Sequence, residues 1–126
     1  DMGEVFTGDI PTFEKTDADR RREHELRDEW IDSLPAPYAA EVHALFAEMD
    51  AMETEEARLV RALDRMEAVI THNEGDPATW LPLEYDLQRT YGMKEAAFSP
   101  TLKKLRAEVT NEVDEVIAAR KEEETI

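Results

Sequence analysis

Thr54-Glu55-Glu56-Ala57-Arg58-Leu59-Val60-Arg61-Ala62-Leu63-Asp64-Arg65-Met66-Glu67-Ala68-Val69-Ile70 is the stretch that decides the fold class. Thr54 carries a hydroxyl that can accept from the free N–H groups opening a helix, and Glu55 and Glu56 suit the positive end of its dipole. Leu59, Leu63, Met66 and Ile70 then recur at helical spacing and predict one apolar stripe. Asn73, Gly75 and Pro77 break the pattern, so a helix from Glu55 to Thr71 is expected.

Working outward, the neighbours read the same way. Upstream, Thr16 or Asp17 caps a helix reaching about Leu34, with Leu26, Trp30 and Leu34 on its predicted buried side. Pro35 and Pro37 end it, and Pro37 is suited to open the next, whose stripe is Tyr38, Val42, Leu45 and Met49. Downstream, Asp76 to Pro82 is turn-rich and carries Trp80, and Leu83 to Tyr91 makes a short helix stopped by Gly92. Ser99-Pro100 starts a last helix of about twenty residues lined by Leu102, Leu105, Val109, Val113 and Val116 or Ile117. No run alternates as a strand does. The expectation is an all-α helical bundle, residues 1–126 forming a single domain.

Of the 126 residues, 41% are hydrophobic, enough for a real core in a helical bundle. Cysteine is absent, which removes disulfides and thiolate metal sites and leaves oxygen and imidazole donors. Thirty-one acidic against fifteen basic residues give a net charge of -16. Duplex nucleic acid is therefore disfavoured as a partner, because phosphate backbones need a basic footprint. A small phosphorylated substrate stays open, since a cation can screen its charge locally. Most of the excess charge reads as solvated helix surface, with Lys121 to Glu124 as a fraying tail. No apolar run approaches the roughly 20 residues of a membrane span, and a cytoplasmic location is expected.

The chemistry-bearing residues gather at the start of the chain, where Asp1, Glu4 and Asp9 put three carboxylates within nine residues. If Asp1 to Phe6 ends a helix, Asp1 and Glu4 share a face, and Gly8 lets Asp9 turn back toward them. As plain sequence, Glu4 and Asp9 read first as a solvated carboxylate and a turn residue. Asp64, beside Leu63 and one turn from Val60, is expected at the edge of the core. There it needs either Arg61 or Arg65 as a surface partner, or a metal ion. Trp30 and Trp80 read as core or subunit-contact residues, and His24, His43 and His72 as surface or core-edge residues.

Asp1-Met2-Gly3-Glu4-Val5-Phe6-Thr7-Gly8-Asp9-Ile10-Pro11 resembles the segment after the histidine of the His-Asp doublet in HD-domain metal-dependent phosphohydrolases. Leu63-Asp64-Arg65-Met66-Glu67 resembles their later metal-binding helix, closest to the branch of 5'-deoxynucleotidases and HD-domain-containing protein 2. The resemblance implies an HD-domain bundle lacking its N-terminal helices, with Asp1 and Asp64 as metal ligands. Glu4 would act on the attacking water, and Asp9 would line the phosphate and sugar site. It implies a divalent ion (Mn, Co, Mg, Zn, Fe or Ni) and a phosphorylated substrate, most specifically a deoxyribonucleoside monophosphate. Other phosphoesters such as an alarmone, or a non-catalytic helical interaction module, are the rival readings.

The family's two histidine ligands have no counterpart in these 126 residues, so the chain is expected to be the C-terminal part of a longer polypeptide. By itself it should bind divalent metal poorly and show little phosphatase activity. Asp1, Glu4, Asp9 and Asp64 are expected to converge on one cleft. A homodimer, or association with a separate N-terminal segment, is expected through apolar stripes left on the Pro100 helix and on Tyr38 to Met49.

Overall fold

The computed structural model describes residues 2–126, and Asp1 lies outside them. The described residues form helices and turns without a strand, in two compact units that meet in sequence at Ala51 and Met52. No helix among the described residues is long and apolar enough to cross a membrane.

The first unit contains α1 (Glu4–Thr7), α2 (Asp17–Asp32) and α3 (Tyr38–Ala51). Gly8 closes α1 by donating its N–H to the Glu4 carbonyl at 2.8 Å, with a φ of 84° that disfavours any side chain. Thr16 and Asp19 cap α2 reciprocally: the Asp19 N–H donates to the Thr16 hydroxyl at 3.2 Å, and the Thr16 N–H donates to the Asp19 carboxylate at 2.8 Å. Those donations, the backbone one first, hold the Asp19 carboxyl below its ordinary pKa.

The buried line of α2 is Glu23, Arg27 and Ile31, one residue away from the expected Leu26, Trp30 and Leu34. The reason lies on α3. Arg27 reaches Asp50 with two N–H donors, at 3.0 and 3.4 Å, and stacks over the Phe46 ring at 4.7 Å. A planar guanidinium matched to a carboxylate fixes which face of α2 turns inward, and Trp30 is left 36% exposed. On α3 no residue is fully buried, and Tyr38 and Leu45 are well exposed. Pro37 precedes the first turn of α3 and accepts from the Glu41 N–H at 3.3 Å.

The second unit contains α4 (Glu55–Glu74), a 3-10 turn (Pro77–Thr79), α5 (Pro82–Thr90), α6 (Met93–Ala96) and α7 (Pro100–Thr125). The hydroxyls of Thr54 and Ser99 cap α4 and α7, accepting from Ala57 and Leu102 as their positions predict. One cluster of buried side chains joins Val69, Trp80, Val109, Val113 and Ile117; a second joins Ala62, Met66, Ala96 and Leu102. Each large apolar side chain fully buried this way contributes about 1.5–3 kcal/mol.

The buried line of α4 runs through Ala57, Ala62, Met66 and Val69, while Leu59 and Leu63 stay 40% and 44% exposed. Ala62 and Ala96 let α4 and α6 approach closely, and the bulky leucines are turned aside. On α7 the residue facing inward is Arg106 rather than Leu105; the rest of the α7 stripe is buried in its own unit and is not an open apolar face. The acidic tail continues the helix to Thr125, with Arg120 donating to Glu124 at 2.9 Å one turn on.

Arg106 is 2% exposed and has no carboxylate partner among the described residues. Its guanidinium donates to the carbonyls of Tyr91 (2.9 Å) and Gln88 (2.8 Å) and to the Thr110 hydroxyl (2.8 Å). These carbonyls end α5, where the helix dipole is negative and intrahelical donors have run out. Burial lowers the Arg106 pKa, yet an arginine keeps its proton even so.

Candidate functional site

Glu4 stands on a helix of only four residues, too short to hold itself in place. Two contacts from elsewhere in the first unit fix it. Gly3 lies flat against α2, so close that a Cβ on it would meet the Glu23 Cβ and carbonyl oxygen at 2.7 Å. The Lys15 ammonium then lies 3.0 Å from Glu4 Oε1 and 2.9 Å from Glu23 Oε1. The Lys15 and Glu23 side chains are each 12% exposed and that of Glu4 27%. Burial opposes the charge on Lys15, but the adjoining carboxylates of Glu23 and Glu4 outweigh it and raise its pKa above 10.5.

The arrangement leaves Glu4 with a division of labour. Its Oε1 is held by Lys15, and its Oε2 accepts no protein hydrogen bond among the described residues. Such a carboxylate is anchored on one side and open on the other, as a group that orients a water must be. Asp9 follows Gly8 in the same unit and is exposed. Asp1, expected as a metal ligand, lies outside the described residues.

Asp64 belongs to the second unit and faces solvent rather than the core edge. The cause is angular: each residue turns roughly 100° around a helix, so a position two away from both Ala62 and Met66 points opposite to them. The expected ion pair with Arg61 or Arg65 is not formed. Arg65 is drawn to α6 instead, pairing with Glu95 at 3.3 Å and lying over the Tyr91 ring. The Asp64 carboxylate therefore keeps its oxygen lone pairs open to a cation. The convergence expected for Asp1, Glu4, Asp9 and Asp64 spans both units and rests on the family resemblance alone.

Among the described residues, no three aspartate, glutamate or histidine side chains are grouped to hold a metal ion. The described donors do not by themselves complete a divalent-metal site, and carboxylates such as Asp64 supply only part of one. His43 is engaged with Asp32 at 2.7 Å on the surface, and His72 with the Ala68 carbonyl at 2.8 Å, in keeping with their reading as surface or core-edge residues. An open cleft of about 440 Å³ lined by Tyr85, Arg89, Arg120 and Lys121 includes none of the candidate residues.

Lys15 and Glu23 are the contacts of Glu4 and Gly3 that sequence reasoning missed. One signal was present: Lys15 is the sole lysine of the first 93 residues, set among acidic neighbours just before the Thr16 cap.

Against known proteins, the sequence profile of one family, the HD domain, matches residues 1–106. That span takes in both motif segments and every helix up to the first turns of α7. Comparison with curated proteins found no match, and comparison with solved structures found none.

Proposed function

We propose, from the premise that the chain belongs to the HD domain family, that it serves a metal-dependent phosphohydrolase whose substrate is a deoxyribonucleoside 5'-monophosphate. The observation that carries this reading is Glu4, with one carboxylate oxygen tied to Lys15 and the other free. Glu4 orients the attacking water and takes its proton; the water oxygen bonds to phosphorus, and the nucleoside oxygen leaves. Asp9, an exposed acceptor beside the Gly8 turn, binds a hydroxyl of the sugar. Asp1 and Asp64 are donors suited to a hard divalent ion, together with histidines of the family pattern. When bound, such an ion neutralises phosphoryl charge and makes water more acidic.

The test is phosphate release by the protein encoded by its whole gene, with manganese, cobalt or magnesium, on deoxyribonucleoside and ribonucleoside monophosphates and on phosphodiesters. Release from the deoxyribonucleotides, abolished by Glu4→Gln, is the expected result; no release from any phosphomonoester overturns the reading. Turnover of a different phosphoester would keep the site and change the substrate.

A second reading, self-association through a helix face, is favoured by α3, where Tyr38 and Leu45 are exposed on a helix with no buried residue. Light scattering at micromolar concentration is expected to show a dimer that Leu45→Glu dissociates.

A further inference from the structure

We propose that Lys15 is the positioning residue for Glu4, and that Glu23 in turn anchors Lys15; this rests on the reading of Glu4 as the group that orients water. Three observations meet at this corner. First, α1 is a single turn, and a four-residue helix does not hold its own geometry in water. Something outside it must set where the Glu4 carboxylate points. Second, Lys15 reaches Glu4 from eleven residues away and is itself nearly buried, so its ammonium is not an interchangeable surface charge. Third, Glu23 touches both parts: its Cβ and carbonyl lie against Gly3, and its carboxylate lies 2.9 Å from the Lys15 ammonium.

A lysine ammonium has three donors and no acceptor, so it can donate to Glu4 while its charge faces the Glu23 carboxylate, and it cannot compete for the water proton. By occupying Oε1 it leaves Oε2 as the sole open oxygen of Glu4, which turns a freely rotating carboxylate into one with a defined acceptor. Lys15 does not touch the substrate in this account; it acts through Glu4.

The experiment uses the protein encoded by its whole gene, with kcat and KM measured on the best phosphomonoester. Lys15→Met is expected to lower kcat about 10- to 100-fold, as loss of an outer-shell partner does, with KM changed less than about threefold. Lys15→Arg, which keeps the charge, recovers most of the rate, and Glu23→Gln gives a smaller loss in the same direction. The decisive variant is the double mutant Glu4→Gln with Lys15→Met. If Lys15 works through Glu4, the double mutant is no slower than Glu4→Gln alone; additive losses overturn the proposal.

A readout independent of turnover is nitrogen-detected NMR of the Lys15 ammonium in metal-free protein. It is expected to titrate above 10.5 and to fall toward that value in Glu4→Gln. Titration at or below the ordinary lysine value overturns the contact. Failure of the function itself looks different: if Glu4→Gln leaves kcat unchanged, the role of Glu4 is wrong, whereas a slow Glu4→Gln beside an unaffected Lys15→Met refutes Lys15 alone. Should Lys15→Met fail to fold, by circular dichroism, Glu23→Gln and Lys15→Arg carry the test.

Discussion

Two cations organise the two units, and they do so by opposite means. In the first unit Lys15 joins α1 to α2 through two carboxylates, both titratable and one of them partly open to solvent. In the second unit Arg106 joins α7 to the end of α5 through two backbone carbonyls, with a hydroxyl of its own helix as a third acceptor, all of them neutral. The contrast separates a joint that can be tuned from one that can only be made or broken. Lys15 holds a carboxylate that has further work to do; Arg106 completes a helix end that has none.

The largest expected effect comes from breaking the enclosed joint. Arg106→Met removes three hydrogen bonds and takes their donor from the buried carbonyl of Gln88 and the partly buried one of Tyr91. A loss of about 3 kcal/mol is expected in urea unfolding, since hydrogen bonds to charged groups are worth about 1.5–3 kcal/mol. Arg106→Lys should recover less than half, because an ammonium cannot present the planar fork.

An intermediate effect comes from titrating the open joint. The Lys15 pKa is raised in the folded chain, so its stabilisation is fully present below 10.5 and is lost as pH rises through the folded value above that. The urea midpoint of the wild type should therefore exceed that of Lys15→Met by the equivalent of about 1 kcal/mol at pH 7. The gap should close at strongly alkaline pH, whereas the gap between wild type and Arg106→Met should persist there. A gap for Lys15 that ignores pH would erase the distinction between the two joints.

The smallest effect tests which face of α4 is inside. Leu63→Gln, at a position 44% exposed, should change stability by no more than about 0.5 kcal/mol, although leucine at that spacing reads as core. Met66→Ala beside it should cost about 2–5 kcal/mol. Equal losses at the two positions would return Leu63 to the buried stripe.

Legibility followed the range of the forces involved. Thr16, Thr54, Ser99, Gly8 and Gly92 act on groups within a few residues, and they mark helix ends where their side chains or lack of one predict. The phase of each stripe depends on a partner helix, and there the reading slipped by a residue or more on α2 and α4, and at the single position Leu105 on α7. Leu105 lost its place to Arg106 because the carbonyls that hold Arg106 belong to residues 15 and 18 positions away. The helix α6 is one turn, shorter than any period can reveal. Of the candidate site, Glu4 was legible as a residue, but the lysine that fixes it lies eleven positions off and belongs to no motif.

Arg106 has one more consequence, for the freedom of α5 to change. Its acceptors are the carbonyls of Gln88 and Tyr91, groups that every residue carries. Almost any substitution at those two positions therefore leaves the joint's acceptors in place, provided the chain still ends its helix there. The grip on α5 is thus written at Arg106, and the side chains at 88 and 91 are held only by their own packing, Gln88 in the interior and Tyr91 against the core.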